Sequence, residues 1–451
     1  MGSLYTSLLN SANQMRVYGR AFQVIQSNIT NVNTPGYVKQ IPNMATGGGD
    51  QLPGSVLERM QLSARDGFLE QAVRHQQQAL GSAAQRASEL GLVEAHFDPA
   101  SQFGIPVALN NFFNGFSALA VNPNSLQARQ SVLELAGAAA DSFNQTARRL
   151  QEIATNARWQ TQAAVDGVNR LAERIAGINR QYRANAAVQQ DAQLDAQLHA
   201  ALEELAQVVD FTLIRTPDGG ANIYLGGGQT VLVVGDRFHP VTADLSGPET
   251  VIRDPAGGDI TGQIRSGKLG GLLTVQNTLL PSYLDDLDTL AESFATAVNS
   301  ILAQGVDRNG LPPPADLFAF DAGAGAAATL RTNGLTPEQI AAALPTAPGG
   351  NGNALELARL GSQPAVHGVT FHEFFGQLSA RIGRDVAAAR QQQIQFEDTL
   401  AQARQQRAFV SGVSLDEEAA RLIQFQQAYQ AMGKLVSVLN ELTQVVLGIL
   451  D

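Results

Sequence analysis

From Leu4 onward, apolar residues return at alternating steps of four and three: Leu8, then Ser11 as the single polar break, Met15, Tyr18, Phe22, Ile25, Ile29 and Val32. The same alternation, entered on a step of three, closes the chain at Phe425, Ala428, Met432, Leu435, Leu439, Leu442, Val446 and Ile449. A heptad stripe at each terminus predicts helices that wrap around a partner. A helix of about 28 residues is about 42 Å long, so each stripe exposes a long apolar seam that needs covering. Pairing the two ends with each other covers both. The alternative is two ordinary amphipathic helices packed separately on the rest of the chain.

Between the ends, proline marks out the helices. None occurs between Pro53 and Pro99, between Pro123 and Pro217, or after Pro364. These windows predict long helices, because an interior proline costs about 3 kcal/mol. From Pro217 to Gly271 the texture turns to glycine and β-branched runs: 211–215, 222–225 and 230–234, the first two separated by the turn Pro217-Asp-Gly-Gly220. That predicts a small antiparallel β unit over 206–268. Helix resumes over 269–304, and 305–353 reads as a loop-rich connection with a short helix opened by Thr336 and Pro337. From Thr370 the pattern is helical to the end, broken near Ser411-Gly412. The expected fold is mainly α with a small antiparallel β insertion. Its terminal domain is 1–41 plus 411–451 as a coiled coil, and its body is a long-helix bundle over 42–205 plus 269–410.

Composition narrows the partners. At 451 residues, 44% hydrophobic and 16% charged, the chain buries a sizeable core beneath a polar but weakly charged surface. Net charge −11 without any Lys/Arg-rich stretch argues against nucleic acid as a partner. Cysteine is absent, which excludes disulfides and Cys-ligated metals. No cleavable signal sequence and no run of about 18 apolar residues appears, so neither membrane insertion nor a conventional leader is expected. Residues 1–41 hold Arg16, Arg20 and Lys39 and no acid. Residues 411–451 hold Asp416, Glu417, Glu418, Glu441 and Asp451 against Arg421 and Lys434. Charges of +3 and −3 bias the ends toward each other, although exposed ion pairs contribute only about 0–1 kcal/mol each.

The first helix ends in Asn28-Ile-Thr-Asn31-Val-Asn33-Thr34-Pro35-Gly36-Tyr37. Asn and Thr side chains compete with helical hydrogen bonds there, and Pro35-Gly36 suits the centre of a type II turn. By itself this is a helix terminator. Together with Ser411-Gly-Val-Ser-Leu415-Asp416-Glu417-Glu418-Ala-Ala-Arg421 it resembles the bacterial flagellar rod, hook and hook-associated family. The Leu-Asp-Glu-Glu-Ala-Ala core is similar to the hook-associated branch that joins hook to filament. The runs at 267–273, 299–310 and 350–355 agree. Leu302 stands where the family often has His, and the stretch between Gly310 and Gly350 is shorter than the outer domain many members insert there.

The resemblance implies a structural protein exported without a cleaved signal peptide and located outside the cell in the flagellum. It implies that other copies of the chain, hook protein below, and a second junction protein or filament above are its partners. A cytosolic export chaperone on the C-terminal helix is implied as well. Another axial component of the flagellum is the alternative. No cofactor or metal is expected. Gly262-Gln-Ile-Arg-Ser-Gly267-Lys268-Leu269 has the P-loop form but Leu269 replaces the Mg²⁺-binding hydroxyl. His372-Glu373 begins like a zinc-protease helix but Gly376 stands in the place of the second His. Gly323-Ala-Gly325 with Ala328 partly matches a dinucleotide fingerprint and reads as a loop. The acids Asp285, Asp288 and Glu292 read as a solvated helix face. Nothing in the sequence argues for catalysis.

Overall fold

The structure is a computed structural model that describes residues 2–42, 44–46, 56–58, 62–97, 104–184 and 191–450; for 2–3, 44–46, 56–58, 62 and 447–450 it describes the backbone alone. Helices dominate. In chain order they are α1 (Gly2–Thr30), α2 (Gly67–Glu94), α3 (Ile105–Val121), α4 (Leu126–Ala184), α5 (Ala192–Val208), α6 (Gly267–Thr274), α7 (Leu280–Ala303), α8 (Ala326–Thr329), α9 (Gly352–Leu360), α10 (Phe371–Ser411) and α11 (Leu415–Leu450). A π-helical stretch, Val275–Leu279, makes α6 and α7 one continuous rod.

Two cores share α4, whose 59 residues span about 88 Å. Its first half buries Val132, Ala136, Ala140, Phe143, Ala147 and Leu150 at helical spacing against α3, α7 and α8, in a core that α9 and the first half of α10 share. Phe294 of α7 sits among Phe112, Phe113, Phe143, Phe318 and Phe371, with ring centroids 5.0–6.1 Å away. The second half of α4 packs with α5, α6 and a four-stranded antiparallel meander. Its strands, Phe211–Arg215, Ala221–Leu225, Thr230–Val234 and Arg237–Phe238, pair in sequence order. The β residues lie within 206–268, but their core is continuous with helices on both sides, so they are a face of this layer rather than a free-standing unit.

Caps set the helix starts. The Asp66 side chain accepts from Phe68 and Leu69 N–H at the head of α2, Asp191 does the same for α5, and Thr370 with Glu373 forms a capping box on α10. Between Pro99 and Pro123, outside the proline-free windows, α3 forms because Pro106 falls in its first turn, where a missing N–H leaves nothing unpaired. The segment 305–353 holds a two-strand ladder, Phe318–Ala319 with Arg331–Thr332, and the helical turn Pro337–Gln339 under a Thr336 capping box. The acids of α7 are not simply solvated. Asp288 accepts from Ala327 N–H at 2.7 Å, fixing the start of α8, and Asp286 pairs with Arg381 of α10 at 2.6 Å. Burial, opposed by that hydrogen bond and reinforced by Asp285 and Glu292, pushes the Asp288 carboxyl above its usual range.

Candidate functional site

Helices α1 and α11 run antiparallel as a pair. Asn28 meets Glu418 at one end, and the rings of Tyr18 and Phe425 lie 6.1 Å apart further along. On α1, Ile25 is buried, Leu4, Leu8, Met15, Tyr18 and Ile29 are half-buried, as is Val32 in the turn that follows, and Phe22 is 37% exposed while Ala21 beside it is buried. On α11, Phe425, Ala428, Met432, Leu439 and Val446 are half-buried. Leu435 and Leu442 are 46% and 48% exposed, with Val436 and Thr443 half-buried instead; the Ile449 side chain lies outside the described residues. The apolar arc on α11 is wider than one partner covers. Leu435, Val438, Leu442 and Val445 therefore form a second exposed stripe, itself at steps of three and four.

A polar clamp closes the root of the pair. The fully buried Asn28 amide donates to Gln40 C=O and to Glu418 Oε2, both at 2.9 Å, and its oxygen accepts from Gln40 N–H and from the Tyr37 hydroxyl, both at 2.9 Å. All four hydrogen-bonding positions of the side chain are filled. Asn31 reaches back to Ser27 C=O at 2.9 Å and accepts from Thr34 at 3.2 Å, winding the helix down into its turn. Burial pushes the Tyr37 hydroxyl up, opposed by its hydrogen bond with Ser27 and aided by Glu418, so it acts as a neutral donor. Asn33 and Pro35 are exposed, as are Leu415, Asp416 and Glu417, of which Glu417 pairs with Lys39 at 3.2 Å. Strand-like bonds complete the clamp: Lys39 N–H to Ser411 C=O, Ala64 N–H to Lys39 C=O, and the Ser411 hydroxyl to Ala64 C=O. Gln40 and Ala64 were not singled out in the sequence, where nothing marks residues that act through backbone groups, and Ser411 reads there only as a helix break and the start of the C-terminal run.

Gly36 ties the clamp to the body. Its φ of +74° is a left-handed conformation, and a Cβ there would lie 2.3 Å from Ala196 C=O of α5. Arg65 donates to the Gly36 carbonyl at 2.6 Å and also reaches Glu70 at 2.6 Å and Asp195 at 2.8 Å. Glu70, fully buried, holds Arg407 of α10 at 3.1 Å, and Arg407 also binds Glu203. His199 lies 3.7 Å from both Glu70 and Asp195, and neither of its ring nitrogens has a hydrogen-bond partner among the described residues. Burial acts to raise Glu70, but His199, Arg65 and Arg407 outweigh it and hold the carboxyl at about 2. Burial pushes His199 below its usual value, against the pull of Glu70 and Asp195, and keeps it neutral.

The chemical decoys resolve into structure. Asp210 takes the N–H groups of Arg265 and Ser266, which a phosphate-binding loop would offer to its ligand. His372 bonds Pro106 C=O at 3.1 Å, while Glu373 is spent on its cap. Among the described residues no group of three or more His, Asp or Glu is placed to hold a metal ion, and no helix is long and apolar enough to cross a membrane.

Comparison with known proteins gives the following. Residues 90–318 match the family model of the flagellar hook-associated protein FlgK helical domain, and residues 404–449 match that of the flagellar basal body rod FlgEFG protein C-terminal region. The chain is 25% identical over 508 aligned positions to flagellar hook-associated protein 1 of Bacillus subtilis, covering 99% of each. It is also 25% identical over 323 positions to the protein of that name in Escherichia coli, covering 68% of this chain and 58% of the relative. The fold is similar to that of the flagellar hook junction protein FlgK from Burkholderia pseudomallei, with a TM-score of 0.69 at 15% identity over 75% of this chain and 99% of that one.

Proposed function

The chain belongs to the flagellar hook-associated protein FlgK family, and on that footing we propose that it is the structural piece that joins hook to filament, built into a ring of its own copies. The second apolar stripe of α11, Leu435, Val438, Leu442 and Val445, carries the reading: α1 leaves it bare, and a bare heptad stripe calls for another helix. Copies side by side supply one. The α1–α11 pairs then line an inner tube while the two-core body forms the outer layer. Folding of the ends is coupled to assembly, because the pair completes its apolar contacts only among neighbours. Hook protein lies below, and a second junction protein or the filament lies above.

Export follows from the same feature. A chain without cysteine passes a narrow channel unfolded with no cross-links to undo. Before export the α11 stripe needs a cytosolic chaperone over Phe425 to Ile449 to keep it from associating. The match at 404–449 is to a rod-protein family model over a short C-terminal stretch, and the longer FlgK match at 90–318 favours the junction over hook or rod. Electron microscopy of cells lacking this chain decides between them. Hooks of normal length that bear no filament support the junction role, whereas cells with no hook, or with filaments intact, overturn it.

A further inference from the structure

A cavity of about 560 Å³ opens where α2, α5 and the strand Phe211–Arg215 meet, beside the ion network beneath the clamp. Its wall includes Arg74, 8% exposed, whose Nη1 is buried with no hydrogen-bond partner among the described residues. Arg74 Nη1 stands 3.9 Å from Glu70 Oε2, beyond hydrogen-bond reach, and that carboxylate is already held by Arg65 and Arg407. A buried guanidinium nitrogen left without a partner is costly. The charge count points the same way: Arg65, Arg74, Arg215 and Arg407 face Glu70, Asp195 and Glu203, with His199 kept neutral by burial. One positive charge is left over in a chain whose net charge is −11.

We propose that this cavity is a carboxylate-binding site, with Arg74 as the fork that receives the ligand. The ligand carries a single charge, because Glu70 beside Arg74 repels a second, and a planar carboxylate matches the guanidinium edge. Phe68, Phe211 and Leu213 on the wall suit a short apolar stem behind it. The carboxylate comes either from a free small acid or from an acidic side chain of a second copy of the chain. The proposal stands independently of the junction role.

The test uses the full chain at constant ionic strength, titrated with sodium butyrate against sodium chloride and followed by calorimetry and thermal melting. Butyrate is expected to bind saturably and raise the melting temperature of wild type, with affinity at least tenfold weaker in Arg74→Met. Without butyrate the order reverses: Arg74→Met melts above wild type, because an unbonded buried guanidinium has been removed. Arg74→Gln serves as a second variant should the methionine not fold. Sedimentation separates the sources. Self-association that depends on Arg74 and is competed by butyrate assigns the carboxylate to a second copy, and saturable binding without such association assigns it to a free acid. Equal responses of wild type and variants to butyrate, or no binding together with no Arg74-dependent association, overturn the site.

Discussion

Asn28 bonds two backbone groups, a tyrosine and a glutamate on the opposite terminal helix through one buried amide. Its donor end faces Glu418 Oε2 at 2.9 Å. Asn28→Asp changes one atom's chemistry and sets two carboxyls about 3 Å apart, a spacing at which both cannot carry charge. The clamp of this variant closes only while one carboxyl holds a proton, so its pairing weakens as pH rises through a value lifted above the usual carboxylate range of about 4. Amide exchange at Gln40 and Glu418 checks this: protection at pH 4 and loss at pH 7.5 is expected, and protection equal to wild type at both sinks the role given to Asn28. In the ion network, the unfolded-state value of Glu70 is 4.5 against about 2 in the fold, so its contribution is complete above 4.5 and lost as pH falls toward 2. That difference amounts to about 3 kcal/mol. His199 is depressed below 6.5, so unfolded chain takes up a proton first and stability falls as pH drops below 6.5. Urea unfolding of wild type minus His199→Gln should shift against wild type between pH 7.5 and 5.5; a flat difference removes His199 from the network.

On the element scale, each terminal helix has an apolar arc wider than a single seam. The sequence period showed that such arcs exist, but it could not show which edge the partner takes. Ala428 neighbours Tyr429, Leu435 neighbours Val436, and Leu442 neighbours Thr443, and either member of each pair keeps the heptad. The structure uses Val436 and Thr443 and leaves Leu435 and Leu442 exposed. The Asn28–Tyr37 run was readable as a terminator because proline and Asn act locally, whereas its clasp on Glu418 joins residues 390 positions apart. The ion network was hidden for a similar reason: Arg65, Glu70, His199 and Arg407 share no period. Helix α3 lies within the helical body expected over 42–205 but outside its proline-free windows, and Pro106 is accommodated in its first turn. The two edges of α11 give separable mutants. Leu439→Asp places charge in the covered seam and should abolish both α1–α11 pairing and incorporation, with the body melting within about 1 kcal/mol of wild type. Leu435→Asp should keep the pairing, read by circular dichroism and amide exchange, yet block incorporation. Incorporation of Leu435→Asp at the wild-type level would leave the exposed stripe without a role.

Across the whole molecule, body and tails differ in how much they bury. The body holds two cores built on α4, with phenylalanines stacked around Phe294. In α1 the buried apolar residues are Val17, Ala21 and Ile25, and no described apolar residue of α11 is fully buried. A buried aliphatic side chain contributes about 1.5–3 kcal/mol, while fixing each backbone residue costs about 1–2 kcal/mol. Helical hydrogen bonds leave an isolated helix only marginally stable, so a pair with so few buried side chains frays from its free end in a single copy. The clamp sets where fraying stops, because there Asn28, Gln40, Ser411 and Glu418 are buried and bonded to one another or to the body. Trypsin reads this out through the few basic residues of the tails. In the isolated chain we expect fast cuts at Arg16, Arg20 and Lys434, and slow ones at Lys39 and Arg421, which are held by Glu417 and Glu418. The long-lived core then runs from about residue 40 to Arg421. The same sites in assembled material should resist digestion, since neighbouring copies cover the second stripe. Tails of the isolated chain that survive as long as the body would mean that α1 and α11 stabilise each other unaided, leaving assembly nothing to complete.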